Sequence, residues 1–94
     1  MYVVIRRYTG ASALVDAMTQ RQQEVRDLIS TVPGFRAYYA ARTGGGGVAT
    51  VTICDDKAGT DESTRRAGEW VRGNVTGAAI AAPEVTEGET YINF

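Results

Sequence analysis

Histidine is absent from this 94-residue chain. Its absence excludes the Ser-His-Asp and Cys-His nucleophile systems and removes the commonest metal ligand and general base. Cysteine occurs once, as Cys54, so neither an internal disulfide nor a thiolate metal cluster can be built. No apolar run is long enough to span a bilayer. The opening MYVVIRRY has too short an apolar stretch, and arginines on the wrong side, for a secretory signal; a cytoplasmic, non-membrane protein is the expectation. An excess of one charge is also missing. Ten Lys and Arg against eleven Asp and Glu leave a net charge of −1, and the cations are scattered, so the electrostatic footprint of a nucleic-acid partner is lacking.

What is present reads as one globular domain over residues 1–94, with 44% hydrophobic and 22% charged residues, a balance that supports a single modest core. Tyr2 to Tyr8 is β-branched and aromatic and reads as a strand ended by Thr9-Gly10. Leu14, Met18, Val25, Leu28, Ile29 and Val32 recur at helical spacing, which predicts one amphipathic helix from Ser12, its N-cap, to about Thr31, stopped by Pro33-Gly34. FRAYYAART and VATVTIC alternate as strands and flank a glycine run, a β-hairpin signature. DDKAGTDES reads as a loop into a second helix capped by Thr60 or Asp61, with Ala67, Trp70, Val71 and Val75 as its apolar stripe and Gly73 or Gly77 as its end. TGAAIAAP reads as a linker and EVTEGETYINF as a last strand.

The order β-α-β-β-α-β is the ferredoxin-like arrangement, an α+β fold in which a four-stranded antiparallel sheet carries both helices on one face. Assigning the more apolar strand residues, Val3, Ile5, Ala37, Tyr39, Ala49, Val51 and Ile53, to the helices leaves the other face open. Tyr2, Val4, Arg6 and Tyr8 would then line that open face, with Arg36, Tyr38, Ala40 and Arg42 from strand two and Thr50, Thr52 and Cys54 from strand three. A face so rich in tyrosine and β-branched residues calls for cover, and a second copy across a two-fold axis supplies it. A homodimer is the expectation.

The IRRY first strand, VPGFRAYYAAR after the long helix, the VTICDD strand and the tryptophan of STRRAGEWV together resemble the dimeric α/β-barrel superfamily. Within it they are similar to the antibiotic-biosynthesis monooxygenases and to short bacterial members of unassigned activity. That resemblance implies a barrel of two back-to-back sheets, with a small-molecule cavity between sheet and helices. It also implies a range of activities: cofactor-free oxygenation of polycyclic aromatics, heme degradation, and isomerisation of small rings. Trp70 falls where several members keep a tryptophan on the second helix. The heme-degrading members pair theirs with a histidine and a first-strand asparagine, whereas this chain has Arg6 and Arg7 there and no histidine.

The candidate ligand-binding residues are Trp70, Tyr38, Arg36, Arg6 and Tyr8, with no cofactor and no metal expected. Trp70 also reads as core, and Tyr38 as cross-strand packing. Arg6, Arg36 and Arg42 could each present a fork to a carboxylate or enolate, or else pair with Glu87, Glu89 or a partner subunit. Asp55, Asp56, Asp61 and Glu62 lack the spacing of a calcium loop and read as capping and solvated acids, with Arg65 and Arg66 pairing to Asp61 and Glu62. Cys54, beside two acids, reads as structural. Gly44, Gly46 and Ala49 formally match a dinucleotide fingerprint, but a strand follows them instead of a helix, so a turn is the expectation. Function stays open between a small-molecule-binding barrel, a cofactor-independent monooxygenase for an aromatic or quinone-like metabolite, and a non-catalytic scaffold or regulatory domain.

Overall fold

The computed structural model describes residues 1–75 and 80–94. Four strands form one antiparallel sheet in the order β2-β3-β1-β4: β1 (Tyr2–Tyr8), β2 (Phe35–Thr43), β3 (Gly47–Cys54) and β4 (Glu84–Glu89). Three helices, α1 (Ser12–Gln20), α2 (Gln22–Ser30) and α3 (Lys57–Asn74), make the crossovers. β1 is central, pairing with β3 (Ile5 opposite Val51) and with β4 (Ile5 opposite Thr86). This is the expected ferredoxin-like fold.

The single first helix expected from Ser12 to about Thr31 is two. Its backbone departs from helical geometry at Arg21 (φ −118°, ψ 35°). Just before the break, the Thr19 hydroxyl donates to the Val15 carbonyl one turn back, at 2.8 Å, a bond that competes with the helix ladder and bends it. Ser12 is not the cap either; Ala11 holds that position without a side-chain bond. The later helix also starts sooner than expected. Asp56 caps it by accepting from the Gly59 amide, and Lys57 to Thr60, assigned to a loop, is its first turn. Asn74 ends it, with Val75 as C-cap. The alternative stop at Gly77 and much of the TGAAIAAP linker lie outside the described residues.

The largest correction concerns the two faces of the sheet. Val4, Arg6, Tyr8, Thr50, Thr52 and Cys54, assigned to the open side, are all buried, beneath the helices. Val3, Ile5, Val51 and Ile53, assigned to the helices, alternate with them on the uncovered side, where Tyr39 is 63% exposed. The reason is chemical. The sheet-facing side of α3 buries Gly59, Thr60 and Ser63 as well as Trp70; this small, hydroxylated surface matches the polar strand set. Strict alternation also fails in β2, where Phe35 pairs with Cys54 and Ala37 with Ile53. Arg36 is thus a bulge, which brings Phe35 to the same face as Tyr38.

The apolar core joins Tyr8, Ala11, Leu14, Val25, Ile29, Val48 and Trp70. The glycine run closes the β2–β3 hairpin through a short 3-10 turn at Gly44–Gly46, in which Gly45 and Gly46 take φ of 73° and 76°. The Ala11 amide donates to the Gly46 carbonyl at 2.9 Å, tying this turn to the start of α1. A strand, not a helix, follows the glycines, and the contact with α1 uses a glycine carbonyl as acceptor, so they make a turn and not a phosphate cradle. No described helix is long and apolar enough to cross a membrane.

Candidate functional site

A cleft of about 800 Å³ opens between the α1–α2 pair and the outer half of β2. β2 is an edge strand of the sheet, and its outer half, Ala40 to Thr43, is exposed. There Ala40 and Ala41 contribute almost no side-chain bulk. Val15 and Met18 of α1 and Val25 and Ile29 of α2 form one wall; Phe35, Tyr38 and Val48 form the floor. Arg26 and Arg42 stand at the margin with Gln22 and Ser30. Among the described residues no carboxylate lines the cleft. Burial pushes the Tyr38 phenol above its ordinary range, opposed by the charge of Arg6 and by the nearby Thr50 hydroxyl.

Arg6 itself is sealed under α3, at 1% exposure. Its Nε donates to Thr50 Oγ1 at 3.1 Å, Nη1 to Ser63 Oγ at 3.2 Å and Thr64 Oγ1 at 2.8 Å, and Nη2 to Thr52 Oγ1 at 2.6 Å. Among the described residues no carboxylate pairs with it, so the expected partners Glu87 and Glu89 are not used; Glu87 binds Lys57 instead, at 2.8 Å. Burial lowers the guanidinium pKa, with Tyr38, Tyr8 and Cys54 acting against it, but an arginine stays protonated through any such shift of ordinary size.

The other candidates are dispersed. Trp70 is 8% exposed and its indole N–H donates to Glu24 Oε1 at 3.0 Å, pinning α3 to α2. It borders, with Tyr8 and Tyr38, a void of about 20 Å³, room for about one water. Met18, Val25, Ile29 and Tyr38 separate that void from the cleft. Tyr8 is buried in the core, and Arg36 forms an ion pair with Asp55. Of the five candidates only Tyr38 lines the cleft. Arg26 went unnoticed because it flanks the apolar stripe; its signal was the Gln22, Arg26, Ser30 series at four-residue spacing.

The acids resolve as capping and pairing groups. Asp56 caps α3, Asp61 binds Lys57 at 2.9 Å, and Glu62 binds both Arg65 at 2.7 Å and Arg66 at 2.9 Å. Asp61 therefore takes a lysine, not the expected Arg65 or Arg66. Among the described residues no three acidic or thiol side chains gather into a metal-binding group. Cys54 is fully buried, and burial, with Asp55 and Asp56, pushes its thiol up.

No family model matches the chain, and no curated protein matches it in sequence. Solved structures do match in fold. The heme-degrader MhuD of Mycobacterium tuberculosis, with two hemes bound in its active site, superposes with a TM-score of 0.71 at 15% identity, over 100% of this chain and 99% of that one. A monooxygenase from ActVA-Orf6 of Streptomyces coelicolor, in complex with nanaomycin D, gives 0.68 at 13% identity, over 99% and 89%. SnoaB, a cofactor-independent oxygenase of Streptomyces nogalater, gives 0.67 at 14% identity, over 98% and 94%. The chain thus has the fold of the antibiotic-biosynthesis-monooxygenase-like proteins.

Proposed function

We propose that this protein is a homodimeric small-molecule-binding barrel whose ligand lies in the cleft beside Tyr38. The observation that carries the reading is the cleft itself, whose volume of about 800 Å³ falls within the span usual for ligand sites, about 300–1,000 Å³. Its apolar wall would supply affinity and its few polar groups orientation. That structures of the same fold hold hemes and nanaomycin D supports the scaffold's capacity for such occupants. Trp70 lies in the core behind the wall, so the binding surface is Tyr38, Phe35 and the α1–α2 side chains. The filled-scaffold alternative loses ground to a cleft this size.

A cofactor-independent monooxygenase is the second reading. It requires a base to take a proton from the substrate. Tyr38 is the one titratable group besides the two arginines lining the cleft, and burial raises its pKa, which makes it a poor base near neutrality. Binding is therefore favoured over catalysis.

Titration with the neutral fluorophore N-phenyl-1-naphthylamine tests the site. Saturable binding is expected at one probe per chain, weakened about tenfold or more by Ala40→Trp, which fills the cleft, and kept by Trp70→Phe. Equal affinity in Ala40→Trp would sink the assignment.

A further inference from the structure

Arg26 on α2 and Arg42 on β2 face one cleft from opposite walls. Most cations of the chain have carboxylate partners: Arg7 with Glu84, Arg21 with Glu24, Arg36 with Asp55, Lys57 with Asp61 and Glu87, and Arg65 and Arg66 with Glu62. Among the described residues, Arg26 and Arg42 have none within 4 Å. The acids nearest to Arg26 in sequence are engaged elsewhere: Glu24 accepts from Trp70, and Asp27 accepts from Gln23 at 2.8 Å. Behind the floor, Arg6 adds a third positive charge with hydroxyl partners only.

Two guanidinium groups beside apolar walls, with no acid among the lining residues, form a site of one sign. An exposed arginine without a partner is ordinary. Two of them lining a single apolar cleft, in a chain whose net charge is −1, set a local field opposite to that of the molecule as a whole. Charge complementarity then defines the occupant.

We propose that Arg26 and Arg42 recognise an anionic oxygen group, a carboxylate or an ionised enol or phenol, on a ligand whose apolar body packs against Val25, Ile29, Phe35 and Tyr38. The proposal rests on the cleft being a ligand site, and it adds the chemical class. Guanidinium forks bind planar oxyanions in two parallel bonds, and the apolar wall next to them would take up the rest of the ligand. A neutral molecule of the same shape would fill the walls and leave both arginines unused.

A matched pair of fluorophores separates these effects: 8-anilinonaphthalene-1-sulfonate, which is anionic, and N-phenyl-1-naphthylamine, the same skeleton without the sulfonate. The wild-type protein should bind the anion about tenfold more tightly than the neutral probe, a gap of the size that charge-assisted bonds provide. The double variant Arg26→Gln/Arg42→Gln should lose that preference while its affinity for the neutral probe stays within about twofold, which also shows that it is folded. Arg72→Gln, removing an exposed arginine away from the cleft, should leave the preference intact. If the neutral probe binds as well as the anion, if the preference survives the double substitution, or if Arg72→Gln abolishes it equally, the proposal is overturned and the cleft reading stands. If neither probe binds saturably, both fall.

Discussion

Arg6 places a full positive charge at 1% exposure with hydroxyl oxygens as its hydrogen-bond acceptors. Burying a charge is costly unless its donors are satisfied, and the fork meets this condition by reaching Thr50 and Thr52 on β3 and Ser63 and Thr64 on α3 at once. One side chain therefore joins three elements. Lysine keeps the charge but has a single ammonium that cannot span all four acceptors. Arg6→Lys is expected to lower stability by about 3 kcal/mol, read as a shift in the urea midpoint with an unchanged slope. A change below about 0.5 kcal/mol would mean that the hydroxyl cage contributes little. Cys54 lies nearby, fully buried, and should resist thiol reagents at pH 8 until the protein unfolds.

At the scale of elements, α3 shows how position decides what a glycine does. Gly59 sits where the first turn crosses the chain at Pro33 and the end of β3; an added Cβ would run into the Pro33 carbonyl and lie 2.8 Å from Cys54 Cβ. Gly68, about two and a half turns further along the same helix, has only the flexible tip of Arg72 near it, at 3.4 Å. Gly59→Ala is expected to cost about 2–4 kcal/mol, because backbone must move. Gly68→Ala should add about 0.5–1 kcal/mol by reducing unfolded-state freedom. Thermal denaturation of the two variants should move in opposite directions. Opposite signs would confirm the close approach of the first turn of α3 to Pro33 and Cys54; the run DDKAGTDES concealed that turn by resembling a loop. The α1–α2 break was equally concealed, since apolar spacing passes through Arg21 without interruption and only the Thr19 bond to Val15 marks the bend.

For the whole molecule, the uncovered face of the sheet is the consequence of greatest weight. Val3, Ile5, Val51 and Ile53 form a half-exposed apolar surface, with Tyr39 at 63% exposure, and the chain ends in exposed Tyr91, Ile92 and Phe94. A monomer with such a face would be prone to association; a second copy across a two-fold axis would bury both faces. Light scattering at micromolar concentration should give about twice the 10.1 kDa chain mass. Val51→Asp, placing a charge at the centre of that face, should give the single mass with its far-UV circular dichroism retained. A single mass for the wild type would refute the dimer. Whichever set of strand residues meets the helices, the other is left to be covered.

Element order apart from the break at Arg21, the fold class, the hairpin at the glycines and the buried setting of Cys54 were legible from the sequence alone, because they follow from local chemistry: periodicity, turn residues and charge beside a thiol. Face assignment was not. Alternation splits a strand into two sets without saying which set meets the helices, and choosing by apolarity fails when α3 offers hydroxyls that satisfy Arg6. The Arg36 bulge likewise shifted Phe35 onto the face of Tyr38 with no mark in the residue pattern. The cleft was further from view, since its lining comes from α1, α2, β2 and β3 together, and its two arginines are distant in sequence. Spacing along the chain settles which residues share an element; only packing decides which of them share a space, because that depends on where separate elements come to rest against one another.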